Sequence, residues 1–147
     1  MCKLLLIEME NKNFRFALGQ IKTDQFAIIE SAYKANEDVN LKIGLQYGSN
    51  KDEKLLSVKV SVQFEQYTIP FIIMEATCFF HIEPSDWELL IVENGLLIPK
   101  VFITHLTLLT VGTVRGILHA KTEGTNFNGF VLPTVNVTEL VTTDISL

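Results

Sequence analysis

The sequence contains little cysteine and no long hydrophobic run. Only two of its 147 residues are cysteine, which excludes a disulfide framework and favours a reducing compartment. The apolar run at residues 4–7 is shorter than the roughly 7–15 residues of a signal-peptide core. The uncharged stretch 101–114 is shorter than the roughly 20 residues of a membrane span. These absences predict a soluble, cytoplasmic protein with no direct membrane insertion.

Basic residues are absent between Lys59 and Lys100. Residues 1–65 carry nine acidic and nine basic residues, whereas residues 66–147 carry eight acidic and three basic ones. Nucleic acid is therefore a poor partner, because phosphate binding requires clustered cations, and a basic polypeptide is a better one. The alternative is an acidic face that only keeps the protein soluble. The predicted acidic partner surface comprises Glu65, Glu83, Asp86, Glu88 and Glu93.

Period-two alternation of apolar and polar residues predicts an antiparallel sheet. The segments 39–47 and 56–65 alternate cleanly and are separated by the polar turn 48–54, which is typical of a hairpin. A weaker strand begins near residue 14 and continues or restarts through residues 25–31. A fourth strand covers residues 69–82.

The fourth strand is apolar on both faces. Its alternation assigns Phe71, Ile73 and Phe79 to the face opposite the predicted core. A sheet with one solvated face should not expose three large apolar groups, so a helix, a second subunit or a bound chain is expected to cover them.

The remaining sequence predicts helices. Ser85 and Glu88 form a capping-box pattern for a short helix that ends at Gly95, and Pro99 opens a long helix that runs to about Lys121. A last short helix starts at Asn136. The long helix is apolar nearly all round, so one side is expected to face another subunit. The predicted oligomer interface comprises Val101, Leu108, Val111 and Gly112.

The predicted fold class is therefore α+β, with a four-stranded antiparallel sheet followed by a long helix and a short C-terminal helix. No linker, repeat or low-complexity tract divides the chain, so residues 1–147 are predicted to form a single domain.

No group of residues in the sequence has both the residue types and the spacing that a known catalytic or metal-binding motif requires. Gly124 and Gly129 are spaced as in a phosphate-binding loop, but no lysine follows them. Cys78 and His81 should point to opposite faces of one strand, so they cannot form a dyad. We therefore expect no enzyme activity, no metal and no cofactor.

The order of the predicted elements and two sequence segments carry a resemblance to a known family. The fourth strand, which ends in Phe80-His81-Ile82, and the helix exit at Arg115 with the later motif at residues 130–140 resemble the SecB protein-export chaperones. The resemblance covers roughly residues 12–142. It implies an ATP-independent chaperone, a tetramer built as a dimer of dimers, that binds unfolded preproteins and delivers them to a motor ATPase. For client binding, the apolar outer face of the fourth strand predicts Phe71, Ile73 and Phe79, with Trp87 as a candidate at the end of the groove.

The sequence departs from the family at its end. Only residues 141–147 follow Leu140, whereas the longer tail of the family contacts the motor. Two hypotheses therefore remain open. The protein is a holdase for unfolded or basic polypeptides, with or without export, or it is a dedicated interaction module such as a toxin–antitoxin chaperone or a structural subunit.

Overall fold

A computed structural model describes residues 14–147. Its main sheet has the order β1-β4-β3-β2, and all of its neighbouring strands are antiparallel. The strands are β1 (Phe16–Ile28), β2 (Asn40–Asn50), β3 (Leu55–Gln66) and β4 (Ile69–Ile82), with one 3-10 turn (Glu30–Ala32) between β1 and β2.

The later elements form helices and a small second sheet. They are α1 (Pro84–Glu88), β5 (Ile91–Val92), β6 (Gly95–Ile98), α2 (Lys100–Thr122), α3 (Val137–Leu140) and β7 (Ile145–Ser146). The small sheet has the order β5-β6-β7. The predicted α+β class is confirmed, together with the four main strands, the long helix and the short C-terminal helix.

One face of the main sheet packs against α2. The alternating residues Val58 and Val60 of β3 are fully buried there, as are Leu106 and Val114 of α2. Each fully buried aliphatic side chain of this size contributes about 1.5–3 kcal/mol relative to an exposed one. The same alternation that predicted the strands therefore also forms the core.

By length and composition, α2 is apolar enough to cross a membrane, and 44% of its most apolar window is buried within the protein. The core helices of soluble proteins have the same character, and α2 contacts both β3 and β4. Packing against β3 and β4 explains why the side of α2 that faces the sheet is apolar.

The short helix differs from its prediction. It ends at Glu88 rather than at Gly95, because residues 91–98 form the β5–β6 hairpin, with Gly95 at a φ of 144°. Its N-cap position is Glu83, and Pro84 is its first helical residue. The predicted capping box is wrong: the Ser85 hydroxyl instead accepts a hydrogen bond from Arg15 Nη2 at 2.8 Å. A proline suits the first helical position, where no N–H is needed, and the helix therefore starts two residues earlier than predicted.

Threonines line part of the buried face of α2. Thr107 Oγ1 donates to the Ile103 carbonyl at 2.6 Å and lies 2.9 Å from the Tyr47 hydroxyl. Within residues 14–147, Thr104 Oγ1 is the buried side-chain polar atom that lacks a partner. An unpaired buried hydroxyl lowers stability because its hydration is lost without replacement.

Replacement of Thr104 by valine is expected to raise the free energy of unfolding by about 1 kcal/mol, because a methyl group replaces the unpaired hydroxyl. The matched control is Thr107→Val on the same helix, which removes two hydrogen bonds and should lower the free energy of unfolding by about 1 kcal/mol. Urea unfolding of both variants measures the difference. If Thr104→Val lowers the free energy of unfolding and Thr107→Val leaves it unchanged, the assignment of Thr104 as unpaired and Thr107 as hydrogen-bonded is contradicted.

Candidate functional site

Five aromatic side chains meet at one end of the sheet. Phe71 lies at their centre, with ring centroids 4.9 Å from Tyr33 and 5.0 Å from Phe130. Phe64 and Phe127 complete the group, each within 6.4 Å of Phe71. We call these five residues the aromatic cluster: Tyr33, Phe64, Phe71, Phe127 and Phe130.

The aromatic cluster joins distant parts of the chain. Tyr33 follows the 3-10 turn, Phe64 and Phe71 belong to β3 and β4, and Phe127 and Phe130 belong to the loop after α2. Phe71 is fully buried, whereas Tyr33 and Phe130 are partly exposed at its edge. Closely packed aromatic rings give a large contact area with little conformational freedom to lose, which suits them to bind apolar side chains of a partner.

A β-bulge places Phe71 on the helix side of the sheet. Phe64 pairs with Ile72 and Glu65 pairs with Pro70, so Phe71 is the extra residue of β4. At such a bulge two consecutive side chains oppose one on the partner strand. The strict alternation that assigned Phe71 to the outer face is therefore wrong at this position, and the side chain points into the aromatic cluster.

Hydrogen bonds hold the loop over the aromatic cluster. Asn128 Nδ2 donates to the His119 carbonyl and to Thr122 Oγ1, both at 3.1 Å. Arg115 donates to the carbonyls of Leu132 at 2.7 Å and Pro133 at 2.8 Å. These bonds fix both ends of the loop to α2, so the loop would have to move before a ligand could reach Phe71.

The four predicted client-binding residues do not form one surface. Trp87 is buried in the core, as is Phe71. Ile73 and Phe79 lie on the outer face of the sheet and are partly exposed. Six residues of extended strand separate these two side chains, about 20 Å at 3.4 Å per residue.

The partners of Phe71 could not be identified from local pattern. Tyr33, Phe127 and Phe130 lie in irregular segments, where no periodicity marks a buried side chain. The available signal was their residue type: two phenylalanines within four positions of a polar loop are unusual in a solvated segment.

The predicted acidic surface is also divided. Glu65 is 4% exposed and pairs with Lys42, with Nζ and Oε2 3.3 Å apart. Asp86 Oδ2 accepts hydrogen bonds from Arg15 N at 2.8 Å and from Arg15 Nε at 3.0 Å. The Arg15 hydrogen bond lowers the pKa of Asp86 below its usual value, so this carboxylate is held charged as part of an ion pair.

The remaining acids, Glu83, Glu88 and Glu93, are exposed. Lys51 and Lys54 of the β2–β3 turn line the same shallow groove as Glu88 and Glu93. A contiguous acidic surface is therefore not formed, because the fold brings bases from elsewhere into the base-free span. The expectation that an acidic surface attracts basic polypeptides therefore loses its structural basis.

The solvent-facing side of α2 carries several apolar residues besides His105. Val101, Leu108 and Leu109 are each more than 40% exposed, and a Cβ at Gly112 or Gly116 would meet no atom within 4 Å. We call these five residues the helix stripe. Val111, predicted to lie in the oligomer interface, is instead buried against the sheet. It lies only about 80° around the helix axis from Val101, at the border between the exposed side and the sheet side.

The described residues contain neither a Cys78–His81 pair nor a metal-ligand cluster. Cys78 is buried and His81 is exposed on opposite faces of β4. No group of three His, Cys, Asp or Glu side chains within residues 14–147 could hold a metal ion.

Comparison with known proteins places the fold. No protein-family model matches the sequence, and no curated protein matches it. The structure is similar to that of the SecB-like chaperone Rv1957 of Mycobacterium tuberculosis, solved in complex with a ChAD peptide from the Rv1956 HigA1 antitoxin. The TM-score is 0.53 at 12% sequence identity, and the match covers 82% of this chain and 91% of that chain. The two proteins therefore share a SecB-like fold.

Proposed function

We propose that this protein is an ATP-independent chaperone that binds a segment of an unfolded or partly folded polypeptide. The aromatic cluster carries the proposal, because it concentrates five aromatic rings beneath one loop of a SecB-like fold. The similar solved structure holds a peptide, which supports polypeptide as the ligand class. That fold serves as a binding scaffold, which supports a non-enzymatic role.

The client is proposed to insert apolar side chains beside Phe130 after the loop has moved. Phe130 is a partly exposed ring 5.0 Å from Phe71, and it also contacts Phe64 at 5.6 Å. Aromatic residues at the centre of an interface commonly account for most of its binding energy. The outer face of the sheet, which carries Ile73 and Phe79 at separate positions along β4, is the second candidate binding surface.

Suppression of aggregation tests the activity. The purified protein should reduce light scattering from several unrelated unfolding proteins without added nucleotide. Suppression of one partner only, such as an antitoxin, would favour the dedicated chaperone, which the antitoxin peptide in the similar structure supports. Suppression of none, with no peptide bound, would overturn the proposal. Delivery to a motor ATPase is a separate proposal, tested by co-purification.

Replacement of Phe130 by alanine should weaken client binding about tenfold or more, because the edge of the aromatic cluster is removed. The matched control is Val131→Ala, since Val131 is the next residue, is half exposed and lies outside the aromatic cluster. Fluorescence anisotropy with a labelled client peptide measures both affinities. If Phe79→Ala weakens binding and Phe130→Ala does not, the outer face is the binding site.

We further propose that the helix stripe binds a second copy of the chain. Its five residues are uncharged, and its two glycines lie four residues apart on one side of α2. Two such helices could approach closely at the glycines while their leucines pack beside them. The resulting assembly is a homodimer or, as the resemblance implies, a tetramer.

A further inference from the structure

The last residues of the chain add a strand to the small sheet. Beyond the buried Val141, the chain runs back antiparallel to β6, with Ile145 opposite Ile98 and Ser146 opposite Leu97. Leu96 N donates to the Leu147 carbonyl at 2.8 Å, and Leu147 N donates to the Leu96 carbonyl at 2.9 Å. We call residues 142–147 the tail.

The tail also caps the long helix. Asp144 Oδ1 accepts a hydrogen bond from Lys100 N at 2.8 Å, and Lys100 is the first residue of α2. The N-cap position of α2 is Pro99, which offers no side-chain acceptor. A carboxylate at this end satisfies a free N–H and interacts favourably with the helix dipole.

Few contacts hold the tail. Ile145 and Leu147 pack against the core but remain partly exposed, and the tail residues between and before them are exposed. A strand of two residues with exposed neighbours belongs to the least stable part of a fold and opens locally at low cost. The edge of β6 beneath it would then offer unpaired backbone groups beside the exposed side chains of Leu97 and Val101.

We propose that the edge of β6 is a strand-accepting site, which the tail occupies within its own chain. Extended client segments with an acidic residue followed by alternating apolar residues compete for it. The pattern is that of the tail itself, in which Asp144 caps α2 and Ile145 and Leu147 face the core. Strand addition uses backbone hydrogen bonds for affinity and alternate side chains for selectivity. The claim that client segments compete for this site depends on the proposed chaperone function. The claim that the edge of β6 accepts a strand does not depend on it.

A labelled peptide with the sequence of residues 142–147 is the probe. The receptor is the full chain with Ile145→Asp and Leu147→Asp, which removes the apolar contacts of the tail and leaves the rest intact. We expect saturable binding by anisotropy, at least tenfold tighter than to the wild-type chain, because the native tail competes at a high effective concentration. A peptide carrying Asp for Ile145 should bind at least tenfold more weakly. Equal binding to both chains, or no binding to the variant, would overturn the proposal.

Hydrogen exchange provides a second measurement, which reports directly on the backbone amides at the edge of β6. The amide protons of Leu96 and Lys100 donate to the tail in the wild-type chain, so the variant should exchange them faster. Added peptide should restore the protection of both. Circular dichroism confirms that the variant is folded, and faster exchange that the peptide does not slow would contradict the site.

Competition separates this inference from the proposed function. An unfolded client with the tail-like pattern should displace the labelled peptide from the variant. A client that binds in a Phe130-dependent manner without displacing the peptide leaves the chaperone function standing and overturns competition at β6. Peptide binding without any client binding supports the strand site and overturns the chaperone function.

Discussion

Replacement of Phe71 by alanine is expected to lower the free energy of unfolding by about 3–5 kcal/mol. The side chain is fully buried and contacts four other aromatic rings, so its removal leaves a cavity at the centre of the aromatic cluster. Denaturant unfolding followed by far-UV circular dichroism measures the change.

Phe79→Ala is the matched control on the same strand. Phe79 lies on the outer face and is only partly buried, so its loss should lower the free energy of unfolding by about 1 kcal/mol. Equal losses for the two variants would contradict the placement of Phe71 by the β-bulge. The comparison also separates the two candidate surfaces, because Phe79→Ala leaves the aromatic cluster intact.

Replacement of Leu108 by glutamate is expected to convert the assembly to a monomer. A charge at the centre of the helix stripe would be buried without a partner in the interface between copies, which is strongly unfavourable. Light scattering coupled to size-exclusion chromatography measures the mass in solution. A wild-type protein that is monomeric would overturn the assignment of the helix stripe to self-association.

Leu89→Glu provides the matched control for that variant. Leu89 is 55% exposed and Leu108 is 49% exposed, but Leu89 follows α1 and lies outside the helix stripe. The control should keep the wild-type mass. Loss of assembly in both variants would indicate a general effect of added charge rather than a specific interface.

Strand positions could be predicted because their pattern is local. Leu56, Val58 and Val60 alternate with polar residues, and the burial of these three residues follows that alternation. The prediction for β4 was correct in extent, Ile69–Ile82, but wrong for Phe71. The bulge depends on how β4 pairs with β3, and alternation within one strand contains no information on that pairing.

The helix interface was predicted in part. Apolar residues all round α2 indicated a second packing surface, and Val101, Leu108 and Gly112 do lie on the exposed side. Val111 could not be separated from them, since a helix without an apolar stripe gives no phase for its orientation on the sheet. Self-association itself remains a prediction.

The sequence by itself determined the α+β fold class, the order of the main elements and the length of the long helix, because periodicity and chain breakers act over a few neighbouring residues. Only the tertiary structure decided which side chains meet. It placed Phe130 on Phe71, brought Lys51 and Glu93 to the same groove and paired the tail with β6. Each of these three arrangements joins residues that are more than 40 positions apart in the sequence. They form because separate elements bury their apolar surfaces against a common sheet, and no local pattern encodes the partner that each one finds.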